Sequence, residues 1–158
     1  MNLFRVSVAI VFALFSLSTF AAEPELVGTW KLVAFQSILN NEPPVDRFGA
    51  SPKGFLILTR DGRMMTVITS GTRKFGNGDA AQAELYRSMT ALSGKYRIEG
   101  SDYITTVDVS WIEAWNGSEQ RRHFRIQDGK LFIESAPQPS RRFPGKTIVG
   151  RVVWERDK

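Results

Sequence analysis

The chain has no cysteine and only one histidine, His123, among its 158 residues. Without cysteine there is no disulfide, no thiol nucleophile and no thioether-linked lipid, so stability has to come from a packed apolar core. One histidine excludes a multi-histidine metal site and makes any serine–histidine chemistry depend on His123. His123 alternates with Arg121 and Arg125 on what reads as the outward face of a strand, so neither catalysis nor haem ligation is assigned to it. No metal and no cofactor is expected. Long runs of one charge are missing too. The formal net charge is +5, and its densest features, Arg121–Arg122 and Arg141–Arg142, are pairs with few aromatics between them. That is a solvated basic surface, without the interleaved stacking residues of a single-strand nucleic-acid binder.

Only one long apolar run occurs. Residues 1–22 carry Arg5, an apolar stretch from Val6 to Phe15 and a small-residue exit with Thr19 and Ala21 at the −3 and −1 positions, the pattern of a secretory signal peptide. A single anchoring helix is the alternative, but Ser16, Ser18 and Thr19 leave the run short of the roughly 20 residues a span needs. Cleavage after Ala21 or Ala22 leaves one domain, residues 23–158. That domain is exported to the periplasm or secreted, with no stable membrane insertion. Loss of Arg5 lowers the charge from +5 to +4.

What fills the domain is period-two alternation. Thr29–Ile38, FLILT (55–59), MMTVIT (64–69), GKYRIEG (94–100), DYITTVDVSWI (102–112), EQRRHFRI (119–126), KLFIES (130–135) and TIVGRVVWER (147–156) read as eight strands. Arg60-Asp61-Gly62-Arg63 and Asp128-Gly129 mark tight hairpins. Asn116-Gly117-Ser118 reads as a loop turn, although it also fits a glycosylation sequon. DAAQAELYRSMTALSG (79–94) places Leu85, Tyr86, Met89 and Leu92 at helical spacing. It predicts one helix between the third and fourth strands, capped by Asp79 with Gln82 and stopped by Gly94. Eight antiparallel strands are expected to close into an up-and-down β-barrel, because closure removes exposed edges. In β1, Trp30, Leu32 and Ala34 share one face and Lys31, Val33 and Phe35 the other, so Trp30 becomes a plug at the barrel's end.

Gly28-Thr29-Trp30 is a Gly-x-Trp signature. With LVGTWKLVAF, PKGFLILTRDGRMMTVI, SGKYRIEG, WNGSEQRRHFRIQDGKLFI and VVWER in order, the chain resembles the bacterial and fungal lipocalin-like domain family of the calycin superfamily over about residues 26–156. The resemblance implies an all-β, eight-stranded antiparallel up-and-down barrel with a ligand-sized interior. It also implies a barrel floor of Gly28, Trp30 and Arg156, with the arginine stacked on the indole of Trp30. The chain departs from animal lipocalins in its helix position and its lack of disulfides, so their ligand residues do not transfer.

The expected partner is a small apolar or amphipathic molecule held inside the barrel. Met64, Met65, Phe55, Phe35 and Tyr96 supply soft and aromatic groups for a pocket of about 300–1,000 Å³. Gln120, Arg122 and Phe124 share one strand face, and Phe124 with Ile126 makes that face the apolar one. Arg122 then either points inward near the mouth, meeting Asp108, Ser110 or a polar group of the ligand, or sits at the rim with its head in water. The more apolar Tyr103–Trp111 face of its strand reads as core and leaves Asp108 in water. The opposite facing puts Asp108 in a polar-lined cavity beside Arg122. The ligand-binding candidates are thus Arg122, Gln120, Phe124, Tyr96, Asp108 and Met64. Two further classes stay open: an acid–base isomerase, cyclase or hydratase using Asp108 and Tyr96, and an interaction module built on the proline-rich loops 40–53 and 136–146.

Overall fold

The computed structural model describes residues 25–140 and 143–158; the expected signal segment 1–22 lies outside them, as does part of the loop 136–146. Strand β1 (Gly28–Leu39), a two-residue β2 (Val45–Asp46), β3 (Lys53–Leu58) and β4 (Arg63–Thr69) precede the helix α1 (Asp79–Arg87). Then come β5 (Met89–Glu99), β6 (Asp102–Ser110), β7 (Glu119–Gln127), β8 (Lys130–Ser135), a two-residue β9 (Gln138–Pro139) and β10 (Thr147–Arg156). The eight long strands run in the order β1-β3-β4-β5-β6-β7-β8-β10, and β10 pairs back with β1. The sheet is therefore the expected closed, antiparallel, up-and-down barrel. The helix follows β4 once the two-residue β2 is counted.

Local chemistry sets the corners. Asp128 and Gly129 both hold positive φ, 52° and 71°, as a two-residue hairpin of the primed type requires. At the β3–β4 corner the Thr59 hydroxyl accepts from the Arg63 amide at 2.9 Å, and Gly62 supplies the left-handed position at φ 82°. Asn116-Gly117-Ser118 is a turn, with Gly117 at φ 77° and the Ser118 hydroxyl donating to the Trp115 carbonyl at 2.6 Å.

Two bulges reset the alternation. In β1 the pairing with β10 shifts between Leu32 and Ala34, leaving Val33 as an extra residue. Trp30 and Leu32 face inward, and beyond the shift Phe35, not Ala34, packs against the core. In β6 the register with β5 shifts at Ser93/Gly94, with Ser93 opposite Val109 and Gly94 opposite Val107, so Asp108 is the extra residue. Tyr103, Thr105 and Val107 are buried as expected, but Val109, expected on the same face, is 65% exposed. A bulge adds one unpaired residue and therefore flips every side chain beyond it.

The helix is shorter than its spacing predicts. It ends at Arg87, and Met89–Glu99 is a strand laddered to β4 from Thr69↔Met89 to Arg63↔Lys95. Leu92, Gly94 and Tyr96 are buried at period two; Leu92 satisfied both patterns, and pairing on two sides outweighed propensity. Gly94 stops no helix. A Cβ there would be driven into the Thr106 carbonyl of β6, so the glycine permits the close approach at the bulge. Nor does Asp79 cap the helix: Gly78 is the N-cap, without a side-chain bond, and Asp79 is the first helical residue. No helical residue is buried, so α1 does not cover a barrel end. It is tied down by Tyr86, whose hydroxyl donates to the Trp111 carbonyl at 2.8 Å and whose ring lies 4.5 Å from the Trp111 ring.

Candidate functional site

The two ends of the barrel differ. At one end Trp30 is buried, its Nε1 donating to the Leu26 carbonyl at 2.9 Å. The Arg156 guanidinium lies 4.0 Å over the indole, donating to the Val27 carbonyl at 2.6 Å and to the Glu25 carbonyl. Gly28 sits beneath it at φ 137°, and a Cβ at that position would collide with Arg156 Nη1. The Gly-x-Trp spacing thus has a steric cause: the glycine leaves the space that the cation needs to reach the ring. Tyr96 belongs to this floor, its hydroxyl donating to the Thr59 carbonyl at 2.9 Å.

Toward the opposite end the core opens into a cavity of about 190 Å³. Its wall is mainly apolar, with Leu56, Met64, Ile68, Leu92, Ile133 and Val152 among the residues that line it. The loop after β1 folds back over this end: β2 pairs with β1 at Gln36↔Asp46, and Phe48 is buried, edge-on to Phe35 at 5.3 Å between centroids. Arg47 lines the cavity at its mouth, with its guanidinium 5.0 Å from the Phe35 centroid and 5.8 Å from that of Phe48. The space is smaller than the 300–1,000 Å³ usual for drug-sized ligands, because Phe35, Trp115 and the Arg47 stem occupy part of the mouth.

The inner wall carries an unusual polar group. Arg122 stands directly opposite Tyr103 across the β6–β7 ladder, and both line the cavity. Among the described residues one side-chain bond holds Arg122, from Nη2 to Gln120 Oε1. On the outer surface the neighbouring arginines meet carboxylates: Arg121 with Asp102 and Glu99, Arg97 with Glu99 and Glu119, Arg125 and Arg151 with Glu134. Arg122 and Arg47 meet none among the described residues; burial pulls the pKa of Arg122 below the usual arginine value, and partial desolvation does the same for Arg47, which by its accessible surface is an exposed residue. Even so, a guanidinium stays charged. Burial also raises the Tyr103 phenol well above its usual pKa, opposed in part by Thr105 and by the Arg122 charge, so Tyr103 remains a proton donor. Its hydroxyl has no well-formed hydrogen bond, and the same holds for Thr105 Oγ1 and for Trp154 Nε1. Tyr103 and Trp154 both reach the cavity wall.

The structure brings together Arg122, Gln120 and Met64 from the residues singled out in the sequence. Arg122 and Met64 line the cavity, and Gln120 orients Arg122. Phe124 packs against the core one step below, and Tyr96 lies at the floor. Asp108 does not join them. It points outward, as the burial of the Tyr103 face requires, and pairs with Arg63 at 2.5 Å, so it is no partner for Arg122 and leaves the acid–base alternative without its carboxylate. Phe55 and Met65, expected inside, are 48% and 52% exposed. Both faces of β3 and β4 are apolar, so alternation there could not distinguish inside from outside, and Leu56, Leu58, Met64 and Ile68 took the core. His123 is exposed, 3.9 Å from Asp102. Among the described residues no cluster of His, Asp or Glu could hold a metal ion. Tyr103, Trp154 and Arg47 were not singled out as site residues. The first two read as ordinary core aromatics, and Arg47 lies in a loop whose fold-back has no periodic signature.

A search of curated proteins returns no match. A family model described as a lipocalin-like domain matches residues 27–157, from the residue before Gly28 to the residue after Arg156, and so takes in both partners of the barrel floor and the whole closed sheet. With that match over well more than half of its length, the chain belongs to the lipocalin-like domain family.

Proposed function

We propose that this protein is an exported binding protein that holds one small apolar or amphipathic molecule in the open end of its barrel. The observation that supports this reading is the apolar-walled cavity of about 190 Å³, set in a core that is otherwise packed down to the Trp30 floor. An apolar cavity of about 150 Å³ accommodates a benzene ring, so a space of this size suits a single substituted ring or a short chain. No Asp, Glu or His lines it, which favours holding a molecule over transforming it by acid–base chemistry. The loop 40–53 supports an interaction module less well, because its one large aromatic, Phe48, is buried instead of presented.

The test is native mass spectrometry of the protein recovered from its own host, coupled to titration with small apolar probes such as indole. A co-purifying small molecule, or saturable one-to-one probe binding that weakens on Leu92→Trp (a cavity-filling change), is expected. A ligand-free protein that binds no probe would refute the reading.

A further inference from the structure

We infer that the molecule held in the cavity is an organic anion: a monocarboxylate with an apolar body of about one ring or a short chain, its carboxylate set on Arg122 beside the Tyr103 hydroxyl. This rests on the binding reading above and specifies its ligand class. Three observations converge. Arg122 lies on the inner wall, lines the cavity and has Gln120 as its one side-chain hydrogen-bond partner, while the arginines around it on the outside are matched by carboxylates. A charge taken partly out of water requires a counter-charge, and no carboxylate lines the cavity to provide one.

The second observation is a pair of buried hydrogen-bond donors on residues of the cavity wall. Tyr103 Oη, beside Thr105, and Trp154 Nε1 are buried without a well-formed hydrogen bond, and both residues belong to the cavity wall. Indole nitrogen can only donate, and Tyr103, held neutral by its burial, donates as well. A guanidinium with two neutral donors is a set that an acceptor-only, negatively charged group satisfies. A carboxylate offers two oxygens and about four lone-pair sites, and it meets a guanidinium in two parallel bonds. A neutral amide or alcohol would leave the charge uncompensated and bring donors of its own.

The third observation is the mouth. Arg47 adds a second guanidinium without a carboxylate partner among the described residues, laid on Phe35 and Phe48. An entering anion therefore meets positive potential from the rim inward, which raises its rate of capture. The two cations have different duties: Arg122 fixes the head group, and Arg47 attracts it.

The experiment is calorimetric titration of the purified protein with phenylacetate and hexanoate, each against its amide (phenylacetamide, hexanamide), and with neutral indole. The acids are expected to bind one-to-one, at least about tenfold tighter than their amides. Arg122→Met should abolish that preference, bringing the acids down to the affinity of their amides. Arg122→Lys should restore part of it, since it keeps the charge and loses the fork. Arg47→Met should slow association of the acids by severalfold at low salt, and added salt should erase the difference. Amides that bind as tightly as the acids would overturn the anion assignment and leave the binding reading intact, provided indole binds. Failure of acids, amides and indole alike would overturn both. If Arg122→Met does not fold, the acid–amide ratio on the unaltered protein still decides the matter.

Discussion

Replacing Trp30 by alanine should cost the protein about 3–5 kcal/mol, the range for truncating a fully buried large aromatic. The structure says where that figure comes from. The ring is 1% exposed, so almost all of its apolar surface returns to a cavity instead of to water. Its Nε1 bond to the Leu26 carbonyl disappears, and so does the face on which the Arg156 guanidinium rests 4.0 Å away. For a domain of this size one kcal/mol corresponds to roughly 4 °C in Tm, so the melting temperature should fall by roughly 12–20 °C. Against a total stability of about 5–15 kcal/mol, some of the protein should be unfolded at room temperature. Trp30→Phe isolates the polar part: most of the area stays, and the buried Leu26 carbonyl loses its donor at a cost of about 1–3 kcal/mol. Arg156→Ala should cost about 1–2 kcal/mol, because that side chain is partly in solvent and its cation–π contact is modest. A double-mutant cycle between the two should show coupling of about 1 kcal/mol. Chemical denaturation followed by far-ultraviolet circular dichroism measures all four. A Trp30→Ala variant within about 1 kcal/mol of the parent would show that the indole is no plug, and the floor as described would be wrong.

Other expectations are shorter to state. Gly28→Ala should destabilise by about 1–3 kcal/mol, since φ is 137° and the new methyl meets Arg156; Gly129→Ala, where nothing lies within 4 Å, should cost less, and thermal melts separate the two. Glu99 is held below the ordinary value of 4.5 by its bonds to Arg121 and then Arg97, so its contribution to stability is present above about pH 4.5 and lost as pH falls through the lowered folded value. Glu99→Gln should therefore flatten the acid limb of the Tm–pH curve, and high salt should mimic it. Asp108→Asn, on the outer wall with Arg63, should leave probe binding unchanged by titration. Signal cleavage and export predict an N-terminus at Ala22 or Glu23 on sequencing of the protein recovered outside the cytoplasm, and an intact Met1 on membrane-bound material would refute that; reducing agents should not move the melting curve, because the chain has no cysteine.

The barrel was legible because alternation, hairpin glycines and one aromatic signature all pointed the same way. Asp128-Gly129 and Arg60-Asp61-Gly62 announced their turns, and Trp30 announced the floor. The facing of Gln120, Arg122 and Phe124 could be read because Phe124 and Ile126 left the strand one clearly apolar face. Facing failed where that asymmetry was missing. Phe55 and Met65 lie on strands apolar on both sides, and no pattern in FLIL or MMTVI says which side is wet. It failed also beyond Val33 and Asp108, where one extra residue inverts the alternation; a bulge is a pairing event between two strands, and neither strand alone carries its signal. The end of α1 was missed because Met89 and Leu92 fit a helix and a strand equally well. Tyr103 and Trp154 became visible as wall residues of the cavity only when the closed barrel brought their strands around the same space as Arg122.

The seam between β1 and β10 joins the first strand of the barrel to the last, and the Arg156 bond that seals its floor reaches back 129 residues to Val27. Pairings so distant in sequence carry the full entropy of closing the intervening chain, and they form late. The barrel cannot shut until its C-terminal strand has been made. Until then β1 presents an unpaired edge, and Trp30 has no cation above it. Loss of β10 would thus open the sheet along its whole length, whereas loss of Glu155 and Arg156 alone would unpair only its floor end. A fold completed only by its final strand is kept open, by topology alone, until synthesis of the chain is nearly finished.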